Sequence, residues 1–249
     1  MNQLFVSSKN ITQNQLIITK DVFHHFSTVL KIGSGDMLAL VLDQKEKWIV
    51  EVDSLTSDVL NFIYIKSYQY HDLGPKITLF QCLPKQDKFA DILNGCTQLG
   101  LDEIIPVVSE RTVTKIKKGN LESKLKRWRY ILESASNQSQ RFTIPTLLSV
   151  SKINRLFETI DFDQFDCLLF AWEEEKGLFL REVIDKLPHC DINSLKIGVL
   201  VGPEGGITQD EAAYLCKCGF RSFTLGPIIL RVEIAAVSIL SQLKYALQC

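Results

Sequence analysis

Apolar positions fall into two regimes along the chain. In the first, short runs alternate with turn signals: Leu38-Ala39-Leu40-Val41-Leu42, Trp48-Ile49-Val50-Glu51-Val52 and Leu60-Asn61-Phe62-Ile63-Tyr64-Ile65. They are rich in β-branched and aromatic residues, with Gly33-Ser34-Gly35-Asp36 and Asp43-Gln44-Lys45 beside or between them. That pattern predicts a small antiparallel barrel or sheet, with one short helix over Asp21–Lys31. His71-Asp72-Leu73-Gly74-Pro75 breaks it, so a first domain is expected over 1–72 and a second over 73–249. From Lys76 on, strands and helices alternate. Strands are predicted at Ile77–Leu83, Ile104–Val108, Cys167–Phe170, Ile197–Val201 and Ser222–Leu225. Helices are predicted at Gln86–Leu99, Leu121–Asn137, Gln209–Lys217 and Arg231–Leu247, and near Leu178–Leu187. Phe89, Ile92, Leu93, Cys96 and Leu99 would share one helical face; Leu121, Leu125, Trp128, Ile131, Leu132 and Ala135 another. Short strands apolar on both faces, joined by crossover helices, define an α/β fold with a mostly parallel, doubly covered sheet.

Composition narrows the class. The 249 residues are 46% hydrophobic and 23% charged, a globular balance. A formal charge of −1 excludes a global field for nucleic acid, so any basic surface is local. No apolar run approaches a membrane span, and no export signal is expected at the start. Seven scattered cysteines then read as free thiols in a reducing cytoplasm.

Three segments can carry chemistry. Val199-Leu200-Val201 runs into Gly202-Pro203-Glu204-Gly205-Gly206-Ile207, and Thr208-Gln209-Asp210-Glu211 fits a capping box. The glycines thus lie between a strand's carboxyl end and a helix start, the edge where open α/β sheets bind ligands. Spacing alone leaves a plain tight turn equally open. The loop lacks the ending of a phosphate-binding P-loop, and its central Glu204 would repel a pyrophosphate. Leu225-Gly226-Pro227-Ile228-Ile229-Leu230-Arg231-Val232-Glu233 repeats the strand–turn–helix design. Arg231 and Glu233 are the only charges between Arg221 and Lys244. If buried they must be paired or functional; the plainer alternative has both reaching solvent. Trp172-Glu173-Glu174-Glu175 follows another strand at the same edge, with Glu174 and Glu175 expected to be solvated.

Arg111–Arg129 contains eight basic residues, among them Lys115, Lys117, Lys118, Lys126 and Arg127, and one acid. Glu158–Asp185 is acidic. The asymmetry allows a face for a polyanion such as RNA, or simply a solvated helix. The polar stretch Glu133–Pro145, with Arg141, reads only as a loop. No zinc-type spacing and no Ser/His/Asp set is present, so no metal site is expected.

Gly202-Pro203-Glu204-Gly205-Gly206 with Glu211, then Leu225-Gly226-Pro227-x-Ile229-Leu230-Arg231-x-Glu233-x-Ala235, resemble the two signature motifs of the RsmE family. These are small-subunit (16S) ribosomal RNA (uracil N3)-methyltransferases of the SPOUT superfamily. His24-His25, Val29-Leu30-Lys31, Gly35-Asp36, Lys85–Gly100, Ile105-Pro106, Ser109-Glu110-Arg111, Trp128, Glu133, Ala135, Gln138-Ser139, Arg141 and Pro145 extend the resemblance along nearly the whole chain. Gln98, Ile228 and Ile234 depart from the family's Glu, Arg and Thr.

The resemblance implies a PUA-like RNA-binding barrel followed by a SPOUT domain with a trefoil knot. It implies a homodimer and methylation of a uridine N3 on the 30S subunit. S-adenosylmethionine would be held by Trp172, Glu173, Gly202, Pro203, Glu204, Gly205, Gly206, Leu225, Gly226, Ile229 and Leu230. Arg141 would grip the uracil or its phosphate, and Arg231 and Glu233 would shape the knot or serve the proton step. Lys115, Lys117, Lys118, Lys126 and Arg127 would hold RNA phosphates. Two alternatives stay open: a knotted enzyme acting on ribose 2′-OH or another base, and a non-catalytic RNA-binding assembly factor.

Overall fold

The computed structural model describes residues 1–71, 74–114, 118–186 and 192–247. Two compact units emerge: residues 1–71 with 136–144, and residues 72–135 with 145–249.

The first unit is a six-stranded curled sheet. Its strands are β1 (Asn2–Val6), β2 (Ile11–Thr12), β3 (Gln15–Ile17), β4 (Met37–Leu42), β5 (Glu46–Leu55) and β6 (Val59–Gln69), in the order β1-β4-β5-β6-β3-β2. Helix α1 (Lys20–His24) passes into a wider π-type turn at His25–Val29, within the span predicted as one helix. Leu38, Leu40 and Leu42 alternate inward to meet Val50, Val52, Leu60 and Phe62 in the core. One expectation is corrected. The sheet is mixed, because β1 pairs with β4 in parallel, Asn2 opposite Leu38 through Val6 opposite Leu42. A parallel pair needs a long crossover, and the intervening β2, β3 and α1 supply it.

Residues 136–144, expected only as a loop, are part of this unit. The Lys47 ammonium donates to the Gln140 carbonyl (2.7 Å) and lies 4.4 Å from the centre of the Phe142 ring. Gln3 donates to the Arg141 carbonyl (2.7 Å), and Ile144 N–H to the Gln44 side chain (2.7 Å).

The second unit holds β7 (Lys76–Cys82), α2 (Lys88–Gln98), β8 (Glu103–Val108), most of α3 (Leu121–Gln138), β9 (Thr146–Leu147), β10 (Ser151–Lys152), α4 (Leu156–Thr159), β11 (Cys167–Ala171), α5 (Leu180–Ile184), β12 (Lys196–Val201), α6 (Gln209–Lys217), β13 (Arg221–Phe223) and α7 (Val232–Ala246). Its sheet is all parallel, ordered β10-β8-β7-β12-β11-β13 with β9 also on β8. One face buries Phe80, Cys82, Phe170 and Leu200 against Ala212 and Leu215 of α6. Leu79, Leu169 and Val199 alternate to the other face and are equally buried. There α7 reaches β12 and packs along α2. Gly95 permits this approach: a β-carbon on it would come within 2.8 Å of Val237.

The predicted strands and the long helices are present, with shifted ends. Gln86 has φ +56°, so α2 begins later, at Lys88. Arg231 is extended and caps α7. The helix near Leu178–Leu187 spans Leu180–Ile184, and Leu187 lies outside the described residues. The small edge strands β9 and β10 were not foreseen, being too short for a periodic signal.

Candidate active site

Strands β12, β11 and β13 are adjacent and parallel, so their following loops share one rim of the sheet. Those loops are Gly202–Gly206, Trp172–Glu175 and Leu225–Leu230, the three segments singled out in the sequence. Hydrogen bonds from one side chain and from the backbone tie this rim together. Trp172 Nε1–H donates to the Ile207 carbonyl (3.2 Å), and Trp172 N–H to the Phe223 carbonyl (3.0 Å). Thr224 N–H bonds the Leu178 carbonyl (2.8 Å).

The loop after β12 is a closed turn, with Gly206 N–H bonding the Pro203 carbonyl (2.9 Å). Gly206 has φ +73°, and a β-carbon there would overlap the Glu173 carboxylate, so both shape and conformation require glycine. Pro203 is buried, Gly202 half-buried, and Gly205 exposed. The Gly205 carbonyl accepts from the Arg111 guanidinium (2.8 Å). The predicted capping box is present: Thr208 Oγ1 accepts from Glu211 N–H (3.2 Å), and Glu211 Oε2 from Thr208 N–H (3.1 Å). Glu211 is buried, and its second oxygen accepts from Glu110 N–H (2.7 Å).

Glu204 faces α2. Its carboxylate accepts from Lys85 N–H (3.0 Å) and lies 3.5 Å from Lys88 Nζ. The same ammonium stands 3.5 Å from Glu233 Oε2, an oxygen buried without a hydrogen-bond partner among the described residues. Lys88 therefore bridges the carboxylates of both glycine-turn motifs. Glu233 pairs with Lys88 and not with Arg231, which is exposed at the N-cap of α7.

The loop after β13 is open. Leu225, Gly226 and Leu230 are half-buried, whereas Ile228 and Ile229 are 75% and 86% exposed. Backbone N–H groups of Ile228, Ile229 and Leu230 have no partner among the described residues. Uncovered apolar side chains beside unbonded donors suit an amphipathic ligand such as a nucleoside, whose flat base needs both.

Arg141 belongs to the first unit, where Nη2 donates to Thr143 Oγ1 (3.3 Å). Lys115 and Lys117 lie outside the described residues, and Lys118 opens a short 3-10 turn. Lys126 and Arg127 are exposed on α3, and Arg127 pairs with exposed Asp87 (3.1 Å). Glu175 is not simply solvated. It accepts from the Ser222 hydroxyl and from Gly177 N–H, and these bonds hold its carboxyl below the usual range. Sequence reasoning placed Arg111 only in a basic run and Lys88 only in a segment resembling the family, and gave neither a role at this rim. The signal was available for Lys88: it closely follows the end of β7, a central strand ending at the same rim.

Fold and site together define an α/β protein with glycine-rich turns gathered at the carboxyl rim of a parallel sheet, the edge at which open α/β sheets bind ligands. Residues 72–244 match the family model described as an RNA methyltransferase domain. A relative from Aquifex aeolicus is 33% identical over 173 residues, 68% of this chain and 69% of that protein. One from Bacillus subtilis is 28% identical over 92% of this chain and 89% of its own. Both are named ribosomal RNA small subunit methyltransferase E, and the present chain belongs to that family of RNA methyltransferases. The Neisseria gonorrhoeae protein of the same name, crystallised bound to S-adenosyl methionine, shares the fold with a TM-score of 0.82 at 22% identity, covering 98% of this chain and 97% of that one.

Proposed function

We propose that this protein methylates N3 of a specific uridine in small-subunit (16S) ribosomal RNA, using S-adenosylmethionine, on the assembled 30S particle. The observation that carries the reading is the convergence of three glycine- and apolar-rich loops at one sheet rim, in a chain of this family. Gly202–Gly206 and Leu225–Leu230 would hold the adenosine, with the free N–H groups on its polar edge and Leu225, Ile229 and Leu230 around the base. The exposed carboxylate of Glu173 at this rim suits a cationic ligand. When bound, S-adenosylmethionine supplies a methyl group already activated by its sulfonium.

The chain's residues then orient and deprotonate. Tight turns hold the reacting atoms in line, which lowers the entropic part of the barrier. N3–H of uracil is weakly acidic, so its proton must leave in or before transfer. Glu233, whose buried oxygen is ion-paired with Lys88 and has no hydrogen bond among the described residues, would take that proton. Arg231, exposed at the start of α7, would stabilise charge on O2 or O4 of the base. Arg141 grips the uracil or its phosphate, contributed by the partner subunit of a homodimer. The first unit, Lys126 and Arg127, together with Lys115, Lys117 and Lys118, hold phosphates of the RNA. The chain's return from β13 to α7 is where the trefoil knot would lie, and the cytoplasm is where the substrate is met.

The test is methyl transfer from labelled S-adenosylmethionine to small-subunit particles from cells lacking the protein, followed by nucleoside analysis. 3-Methyluridine is expected. A ribose-methylated nucleoside would overturn the base assignment, and an absence of heat on titrating S-adenosylmethionine would leave only a binding protein.

A further inference from the structure

The outward face of the curled sheet in the first unit is not polar, as a solvated face should be. β4 and β5 turn Ala39, Val41, Lys47 and Ile49 to the side opposite the core, and all four are buried. Residues 136–144 supply partners on this side, through Gln140 and Phe142. Beside Phe142 a groove of about 580 Å3 stays open, lined chiefly by Met37, Lys47, Ile49, Lys66, Tyr68 and Phe142. That lies within the roughly 300–1,000 Å3 of ordinary small-ligand clefts. Tyr68 is 47% exposed and Met37 42%, so aromatic and apolar surface faces solvent here.

We propose that this groove binds an unstacked nucleoside of the RNA substrate, with its base against Tyr68 and Phe142 and its phosphate on Lys66. The inference rests on the reading of the chain as an RNA-acting enzyme and adds a second, separate contact to it. Charge decides between occupants: two lysines line the groove and no acidic residue does. Lysine interleaved with aromatic rings suits single-stranded RNA, whose bases stack on π-faces while phosphates meet cations. The two lysines divide the work. Lys47 is 7% exposed, donates to the Gln140 carbonyl and lies over Phe142, so it fixes that ring in place. Burial also pushes its ammonium below the ordinary lysine range. Lys66 is exposed, with Nζ 5.2 Å from the centre of the Tyr68 ring, and remains available to a phosphate at the edge of the stack.

The test uses the full chain and a fluorescein-labelled octamer of uridine, titrated over a series of salt concentrations and without S-adenosylmethionine. Tyr68→Ala should weaken binding about tenfold, a loss within the range of one base stack. Tyr68→Phe, which keeps the ring, should stay within about twofold, and Lys66→Gln should flatten the salt dependence. With ribosomal particles, Tyr68→Ala should raise KM and leave kcat unchanged. Placing 4-thiouridine in the octamer should give a photo-cross-link to a peptide containing Tyr68 or Phe142. Unchanged affinity in Tyr68→Ala, or octamer cross-links confined to peptides without Tyr68 or Phe142, would overturn the proposal. Intact octamer binding without methyl transfer would fault the proposed activity and leave the groove standing.

Discussion

The Glu173 carboxylate occupies the space that a β-carbon at position 206 would need. Two strand-end loops are thereby interlocked by a missing side chain. Gly206→Ala would impose the overlap and the strain of φ +73° together. It should destabilise the chain by about 1–3 kcal/mol, as residues forced into left-handed conformations do. Urea unfolding measures the loss, and titration of S-adenosylmethionine should show weakened binding in the protein that remains folded. A variant as stable and as tight as the parent would contradict the fit.

Lys88 is the second interlock. Lys88→Met leaves Glu204 and Glu233 facing one another's charge without the shared ammonium. The groups are partly exposed, so a stability loss of only about 1 kcal/mol is expected. The effect on turnover should be larger, because the proposed proton acceptor loses its support. Lys88→Arg should restore part of kcat; equal kcat in Met, Arg and parent proteins would refute a positioning role.

Arg141→Ala should cut kcat by at least about tenfold while the affinity for S-adenosylmethionine stays unchanged, since Arg141 is assigned to the RNA and not to the adenosine. Parallel calorimetry and single-turnover methylation separate the two. Loss of cofactor affinity would reject the assignment.

Glu211 satisfies Glu110 N–H and Thr208 N–H from a buried position. Glu211→Ala strips acceptors from both and should cost about 1–3 kcal/mol. Differential scanning calorimetry should show the drop, and a melting temperature within error of the parent would argue that water replaces the carboxylate.

Burial pushes the Cys82 and Cys96 thiols up to about 12, from an ordinary value of 9.0. The folded state therefore keeps these protons where the unfolded chain releases them. Their stabilising effect is full below pH 9 and is lost progressively as pH rises from about 9 toward 12. Replacing both with alanine should flatten the fall in stability over that window in alkaline urea titrations. At pH 8 iodoacetamide should modify exposed Cys216 and spare Cys82 and Cys96 in the native protein.

Much of the fold was legible because its long elements have strong periods. The Gln209–Lys217 helix and its Thr208–Glu211 capping box come directly from local chemistry. The strands of the parallel sheet are continuous apolar runs, which marks them as buried on both faces. What was hidden depended on distance along the chain. β1 looks unremarkable until Leu38–Leu42, more than thirty residues away, pairs with it. Lys88 and Arg111 are ordinary surface residues in sequence and gain meaning only when Glu204, Glu233 and Gly205 arrive from another part of the chain. The acidic loop misled for the same reason, since Ser222 is the partner of Glu175.

Residues 136–144 belong to the unit built by residues 1–71, although more than sixty residues separate them. Cutting the chain near residue 72 would not release an independent N-terminal piece. Gln3 and the largely buried Lys47 would lose the carbonyls of Arg141 and Gln140 that now accept their hydrogen bonds, and an ammonium would be left without the ring it lies over. Attempts to study the N-terminal unit in isolation should therefore carry the 136–144 strip along, tethered or added in trans.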